Sequence, residues 1–220
     1  VRRTTVRRSD FEMQRNAESG LFAEPSTLTQ ICKGEAAMLS AKMRTELNEQ
    51  VNREMYSAYL YMAMSVHSET LGLKGFANWF MAQYHEEMYH AMKIYEYILR
   101  QGGEVHLKTI EEPPRDFASP LDMFEKTLKH EQFVTRSINN LMDTAISEKD
   151  HATQIFLQWF VTEQVEEEEN DNEIIAQLKR VEGHPHGMMM IDRDLAQRAV
   201  TVPLDFSKGV AAQAKAAGGD

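Results

Sequence analysis

A single cysteine, Cys32, occurs in 220 residues. No disulfide framework within the chain can therefore support the fold, and a reducing compartment, the cytoplasm, is the expected setting. Long apolar runs are missing as well: the longest span a few residues, well short of the roughly 18 that suggest a membrane helix. A soluble chain with no membrane partner is expected. Arg2, Arg3, Arg7 and Arg8 are not followed by an apolar stretch of about 7–15 residues, and Asp10, Glu12 and Glu18 contradict a transit-peptide composition. Positive charge is in deficit, since 24 Lys and Arg face 34 Asp and Glu for a formal net charge of −10. The first 37 residues are almost balanced, so the excess falls on the rest of the chain. Such a body repels nucleic acid and attracts cations, so metal ions fit as partners better than phosphate backbones. No strand periodicity competes anywhere along the chain.

What the chain does have is helical apolar spacing with clear punctuation. Residues 1–37 contain Gly20, Pro25 and Gly34 without a sustained period and read as an N-terminal extension outside the core, with Met38 as an original start. From Ser40, an N-cap type, a first helix runs to about Leu71 and breaks at Gly72-Leu73-Lys74-Gly75. A second helix runs to Gln101 and is stopped by Gly102-Gly103; the short connector makes the pair antiparallel. Residues 103–118, with Pro113-Pro114, form a linker long enough to carry the chain from one end of a bundle to the other. Ser119-Pro120 opens a third helix to about Ser147, and Asp150 caps a fourth that ends at Gly183 with Pro185 close behind. A further short helix is expected after Asp192, and the tail beyond about Pro203, rich in Ala, Gly and Lys, reads as loose. The expected fold is all-α: a four-helix bundle with one long crossover plus a short C-terminal fifth helix. One core domain over 38–195, preceded by the 1–37 extension and followed by the 196–220 tail, accounts for the 42% apolar content.

Two acidic patterns repeat in one register. Glu54 precedes Glu87-x-x-His90 by 33 and 36 residues, and Glu131 precedes Gln164-x-x-Glu167 by the same 33 and 36. If the hairpins turn near Gly72 and Lys149, Glu54 and His90 each lie 18 residues from one turn, and Glu131 and Glu167 each lie 18 from the other. Eighteen residues are about 27 Å of helix rise, so all these groups can meet at one level.

Every one of these glutamates also falls on an apolar stripe. Leu47, Val51, Ala58 and Tyr61 share the arc of Glu54, and Phe76, Phe80, Tyr84, Ile94 and Ile98 that of Glu87. Phe124, Leu128, Ile138 and Met142 flank Glu131, while Phe156, Phe160, Ile174 and Leu178 flank Glu167. A carboxylate taken out of water protonates, pairs or binds metal, and the stripes carry no Lys or Arg. Two divalent ions would neutralise the four glutamates, and His90, one turn from Glu87, offers a nitrogen ligand. Oxygen-rich coordination with one imidazole suits iron or manganese better than structural zinc. A lone Glu-x-x-His is common on any helix; the duplicated register is what lifts this one. Tyr61 is either a core tyrosine bonded to a carboxylate or a redox-active one. Glu163, Glu166 and Glu167 share one side of the fourth helix, with Glu168 and Glu169 pointing away. Met188, Met189 and Met190 read as a packing surface, and His85, His130 and His151 as ordinary histidines.

The stretches Leu47-Asn48-Glu49-Gln50, Glu54-Met55-Tyr56-Ser57, Glu86-Glu87-Met88-Tyr89-His90, Lys129-His130-Glu131-Gln132, Phe156-Leu157-Gln158-Trp159 and Glu163-Gln164-Val165-Glu166-Glu167-Glu168 resemble the bacterial non-haem ferritins. The general ferritin-like pattern has Glu-x-x-His on two helices. Gln164-x-x-Glu167 departs from it in the manner of the non-haem group and against a bacterioferritin or rubrerythrin. The resemblance runs from Met38 to about Leu195. It implies a first iron at Glu54, Glu87 and His90, with Glu87 bridging to a second at Glu131 and Glu167, and Gln164 nearby. It implies a third, looser iron on Glu86, Glu163, Glu166 and Glu167, aromatic neighbours at Tyr61 and Trp159, and no haem. The implied activity is a ferroxidase that oxidises Fe(II) to Fe(III) with O2 or peroxide, Tyr61 able to supply a further electron. A ferric mineral is then stored inside a hollow 24-subunit homo-oligomeric shell, with the short helix after about Gly187 at a symmetry axis. The competing expectations are a di-iron or di-manganese oxidase or peroxidase without storage, and a purely structural bundle.

Overall fold

A computed structural model describes residues 38–207, 209 and 210; the expected 1–37 extension and the end of the tail lie outside the described residues. Five helices follow in order: α1 (Ala41–Thr70), α2 (Lys74–Arg100), α3 (Pro120–Ser147), α4 (His151–Arg180) and α5 (Pro185–Leu195). Among the described residues no helix is long and apolar enough to cross a membrane.

Each start has a local cause. The Ser40 hydroxyl accepts from Met43 N–H at 2.9 Å, Ser119 from Asp122 N–H at 3.0 Å with Pro120 at the first helical position, and Asp150 from Thr153 N–H at 3.0 Å. Each cap satisfies an amide that the helix itself leaves unpaired. The hairpin turns fall at Gly72 (φ 74°) and Lys149 (φ 57°), both left-handed, where the 18-residue spacing puts them. α1 packs on α2, α3 on α4 and α1 on α3. The crossover is pinned to α1: Asn48 donates to Glu104 O at 3.1 Å and accepts from His106 N–H, and Asn52 donates to Thr109 O.

The C-terminal elements differ from expectation. α4 stops at Arg180, and Val181–Gly183 form a turn with Gly183 left-handed at φ 73°. α5 starts at Pro185 rather than after Asp192, because proline at a first helical position opens a helix as readily as it closes the preceding one. Asp192 falls inside α5, where its Oδ1 accepts from Gly75 N–H at 2.8 Å and Phe76 N–H at 3.2 Å. It caps α2, whose own N-cap residue, Leu73, offers no side-chain bond. A Cβ on Gly75 would lie 1.6 Å from Asp192 O, so only glycine admits this approach. Met188 packs on the core, while Met189 and Met190 face outward on α5. The segment after α5 is tied to α2, Asn78 donating to Leu195 O at 3.3 Å and Arg198 O at 2.9 Å; beyond Pro203, where a loose tail is expected, Val210 N–H donates to Glu96.

The core is two apolar clusters. One gathers Leu60, Tyr61, Met64, Phe76, Phe80, Phe124 and Ile174, and the other Met43, Leu47, Val51, Ile94, Ile98, Ile138 and Phe160. Along the helices the acidic residues fall between these two groups.

Candidate metal centre

Side chains from all four long helices meet at that level. Glu54 and Glu87 bring carboxylate oxygens, and His90 a ring nitrogen, within 4.8 Å of one another, all three buried. His90 Nδ1 lies 3.5 Å from Glu87 Oε2. Gln50 donates to Glu54 Oε1 at 2.8 Å, so one oxygen is oriented, while Glu54 Oε2 and His90 Nε2 are buried with no partner among the described residues. Orphaned polar atoms in a packed core cost about 1–3 kcal/mol each, and a ligand is the ordinary reason a protein keeps them.

The second half faces this group. Tyr61 donates to Glu131 Oε1, and Gln164 donates to Glu131 Oε2 at 3.1 Å. Gln83 donates to Glu167 Oε2 at 2.7 Å. These bonds link α1 to α3, α3 to α4 and α2 to α4 across one level. Trp159 and Phe160 set their ring edges against His90, with centroids at 5.3 and 6.0 Å.

The charges there are unbalanced. Burial first, then Glu131, Glu54 and Glu167, push the Glu87 carboxyl well above the usual carboxylate range. Glu131 and Glu167 are raised to about 7, chiefly by burial. Burial, with the charges of Glu131, Glu87 and Asp171, lifts the Tyr61 hydroxyl well above its ordinary value of 10.0. Carboxylates that cannot shed their charge into water hold protons until a cation replaces them. The donor set of four carboxylates, one imidazole and one amide fits hard or borderline divalent ions.

The residues of the expected third site are placed less tightly. Glu86 is mostly buried and pairs with Arg198, Glu163 is half-buried, and Glu166 is exposed. Burial, Glu166 and Glu86 raise the Glu163 carboxyl, against His90, which lowers it. Among the described residues only Glu54, Glu87 and His90 form a mutually close ligand group.

Four contributors escape the sequence pattern. Gln83 and Arg198 act through contacts that no spacing rule reveals, while Gln50 lies four residues before Glu54 on α1, a spacing that pairs side chains along one helix. Asp171 does carry a signal, since it lies four residues after Glu167 on the same stripe. Burial, Glu131 and Glu167 raise it to about 9. His130, expected to be ordinary, bonds Ser57 at 2.8 Å and is lowered to about 4 by burial.

Carboxylates and one imidazole converging from four antiparallel helices define a bundle protein of the ferritin-like metal-carboxylate class. The comparisons agree. Residues 44–181 match the family described as Ferritin, a ferritin-like domain. The chain is 41% identical over 161 residues to the bacterial non-heme ferritin of Bacteroides fragilis, covering 73% of this chain and 100% of that one. It is 39% identical over 164 residues to that of Campylobacter jejuni, covering 74% and 98%. A solved structure of an open-pore ferritin from the hyperthermophilic archaeon Archaeoglobus fulgidus superposes with a TM-score of 0.73 at 43% identity, covering 73% of this chain and 99% of that one. The chain belongs to the ferritin family, and its function is iron storage with ferroxidase activity.

Proposed function

We propose that the chain oxidises Fe(II) at a two-ion site and stores the product as a ferric mineral. One ion is held by Glu54, Glu87 and His90 and the other by Glu87, Glu131 and Glu167, with Gln164 beside the second. The observation that carries this reading is the convergence of Glu54, Glu87 and His90 with buried, unpartnered oxygen and nitrogen atoms. Glu87 is assigned to both ions, supported by its place beside Glu54 and His90 and by the charges of Glu131 and Glu167, which also reach its carboxyl. Iron enters as substrate: each Fe(II) gives one electron to the oxidant, O2 or peroxide, and leaves as Fe(III).

The protein's part is positional and protonic. Gln50 aims Glu54, Gln83 aims Glu167, and Tyr61 and Gln164 aim Glu131, so the ligand oxygens need little reorganisation when charge arrives. Glu87, Glu131 and Glu167 release their protons as cations bind. Tyr61, bonded to Glu131, is the residue placed to supply a further electron and proton. Glu86, Glu163, Glu166 and Glu167 form an outer, looser site for a third iron. The wider assignment is a cytoplasmic 24-subunit homo-oligomer in which residues 38–195 are the ferritin domain, flanked by an extension over 1–37 and a tail over 196–220. The exposed Met189 and Met190 on α5 suit a contact between copies.

Aerobic addition of Fe(II) to the metal-free protein tests this. Hundreds of iron ions or more retained per particle after gel filtration are expected, with His90→Ala abolishing fast oxidation. About two ions per chain would favour an oxidase without storage, and none would leave a structural bundle.

A further inference from the structure

The arm that follows α5 reaches back into the acidic centre. Leu195 O and Arg198 O accept from Asn78, and the Arg198 guanidinium lies over the Trp79 ring, 4.5 Å from its centroid. From there it donates to Glu86 Oε2 and to Gln83 Oε1. Trp79, Gln83 and Glu86 follow one another down a single face of α2.

Two features separate this from a surface ion pair. The first is burial: the side chains of Arg198 and Glu86 are only 20% and 13% exposed, and Arg198 Nη1 is buried with no partner among the described residues. The guanidinium is therefore incompletely satisfied in this seat. The second is the fixed direction of the Gln83 amide. Arg198 can only donate, so Gln83 must present its oxygen to Arg198 and its NH2 to Glu167, which it reaches at 2.7 Å. Arg198 thus touches one member of the outer carboxylate group, Glu86, and fixes the partner of another, Glu167. The Arg198 charge also reaches Glu167 and Asp171, where it favours the ionised carboxylates.

We propose that Arg198 is a tethered cation seated in the outer carboxylate group, so that the arm after α5 decides whether each subunit holds two or three metal ions. With the arm in place, a third ion must displace a guanidinium that is already bonded, stacked on Trp79 and held by Asn78. With the arm lifted, Glu86 joins Glu163 and Glu166 as a free ligand, and Gln83 is released from its fixed orientation. Arg198 is a positioning residue here, acting through Glu86 and Gln83. The proposal rests on the outer site assigned under the proposed function.

The test is calorimetric titration of the metal-free full-length protein with Zn(II), and with Fe(II) under anaerobic conditions. Arg198→Gln is expected to raise the affinity for the third ion about tenfold or more. Arg198→Lys, which keeps the tethered charge, is expected to stay near the parent. Asn78→Ala, which keeps Arg198 but loosens the arm, is expected to fall between them, and it decides the matter if Arg198→Gln does not fold. Third-ion binding that Glu163→Gln removes but Arg198→Gln and Asn78→Ala leave unaltered would overturn the role of Arg198. Third-ion binding indifferent to Glu163→Gln would overturn the outer site itself.

Discussion

Asp171 lies one helical turn beyond Glu167 on α4, and among the described residues neither of its carboxylate oxygens has a hydrogen-bond partner although both are buried. With its carboxyl raised to about 9 by burial and by Glu131 and Glu167, it stands protonated at neutral pH.

Asp171→Asn should therefore leave the metal-free protein at least as stable as the parent at pH 7, since the asparagine keeps the neutral polar group and removes the proton that the parent must hold on folding. From the ordinary value of 3.8 up to about pH 9 the parent loses stability as pH rises, because the unfolded chain releases a proton that the folded one keeps; the variant has no such group, so the two diverge further between pH 7 and pH 9 and run parallel above it. Calorimetry of both proteins at pH 7 and pH 10 checks the divergence. A loss of more than about 3 kcal/mol at pH 7 would mean a charged, paired aspartate instead.

The centre as a whole gives the metal-free protein an unusual pH dependence. A carboxyl raised by folding makes its full contribution below the ordinary value of 4.5 and loses it as pH climbs through the folded value, about 7 for Glu131 and Glu167. The metal-free protein is therefore expected to melt higher at pH 5 than at pH 8, by roughly 5–10 °C, a few kcal/mol in sum. Zn(II) loading should remove the slope and release protons, seen as acidification in a weakly buffered titration.

His90→Ala should slow Fe(II) oxidation by about 100-fold or more, since changes outside the first ligand layer alone typically cost 10–100-fold. Glu54→Ala should do the same while leaving the metal-free fold equal or higher in melting temperature, because a desolvated carboxylate has gone. Stopped-flow absorbance and thermal melts together separate loss of a ligand from loss of the fold.

Gly75→Ala places a methyl group 1.6 Å from Asp192 O and 3.0 Å from Ala196 N, so α5 must move off α2. A destabilisation of about 3 kcal/mol or more is expected, together with faster proteolysis within residues 185–206. Unchanged melting and proteolysis would contradict the observed contact.

Much of this architecture is legible in the amino-acid sequence. The capping types at Ser40, Ser119 and Asp150 mark three helix starts because they act over three residues, and the repeated 33 and 36 spacing works because helix rise is constant. The ligands of the proposed centre follow from the same rule. The start of α5 is harder to read, because Pro185 follows a left-handed glycine and can be taken for a terminator. Gln83, Asp192 and Arg198 are out of reach for one reason: their bonds depend on how rods separated by many residues lie against one another.

The Asp192 contact also orders the making of the protein. The leading amides of α2 find their acceptor 117 residues later in the chain, so a nascent first hairpin leaves the ribosome with its corner unsealed. Only an almost finished polypeptide can close it, and a prematurely terminated one exposes that fault to cellular proteases.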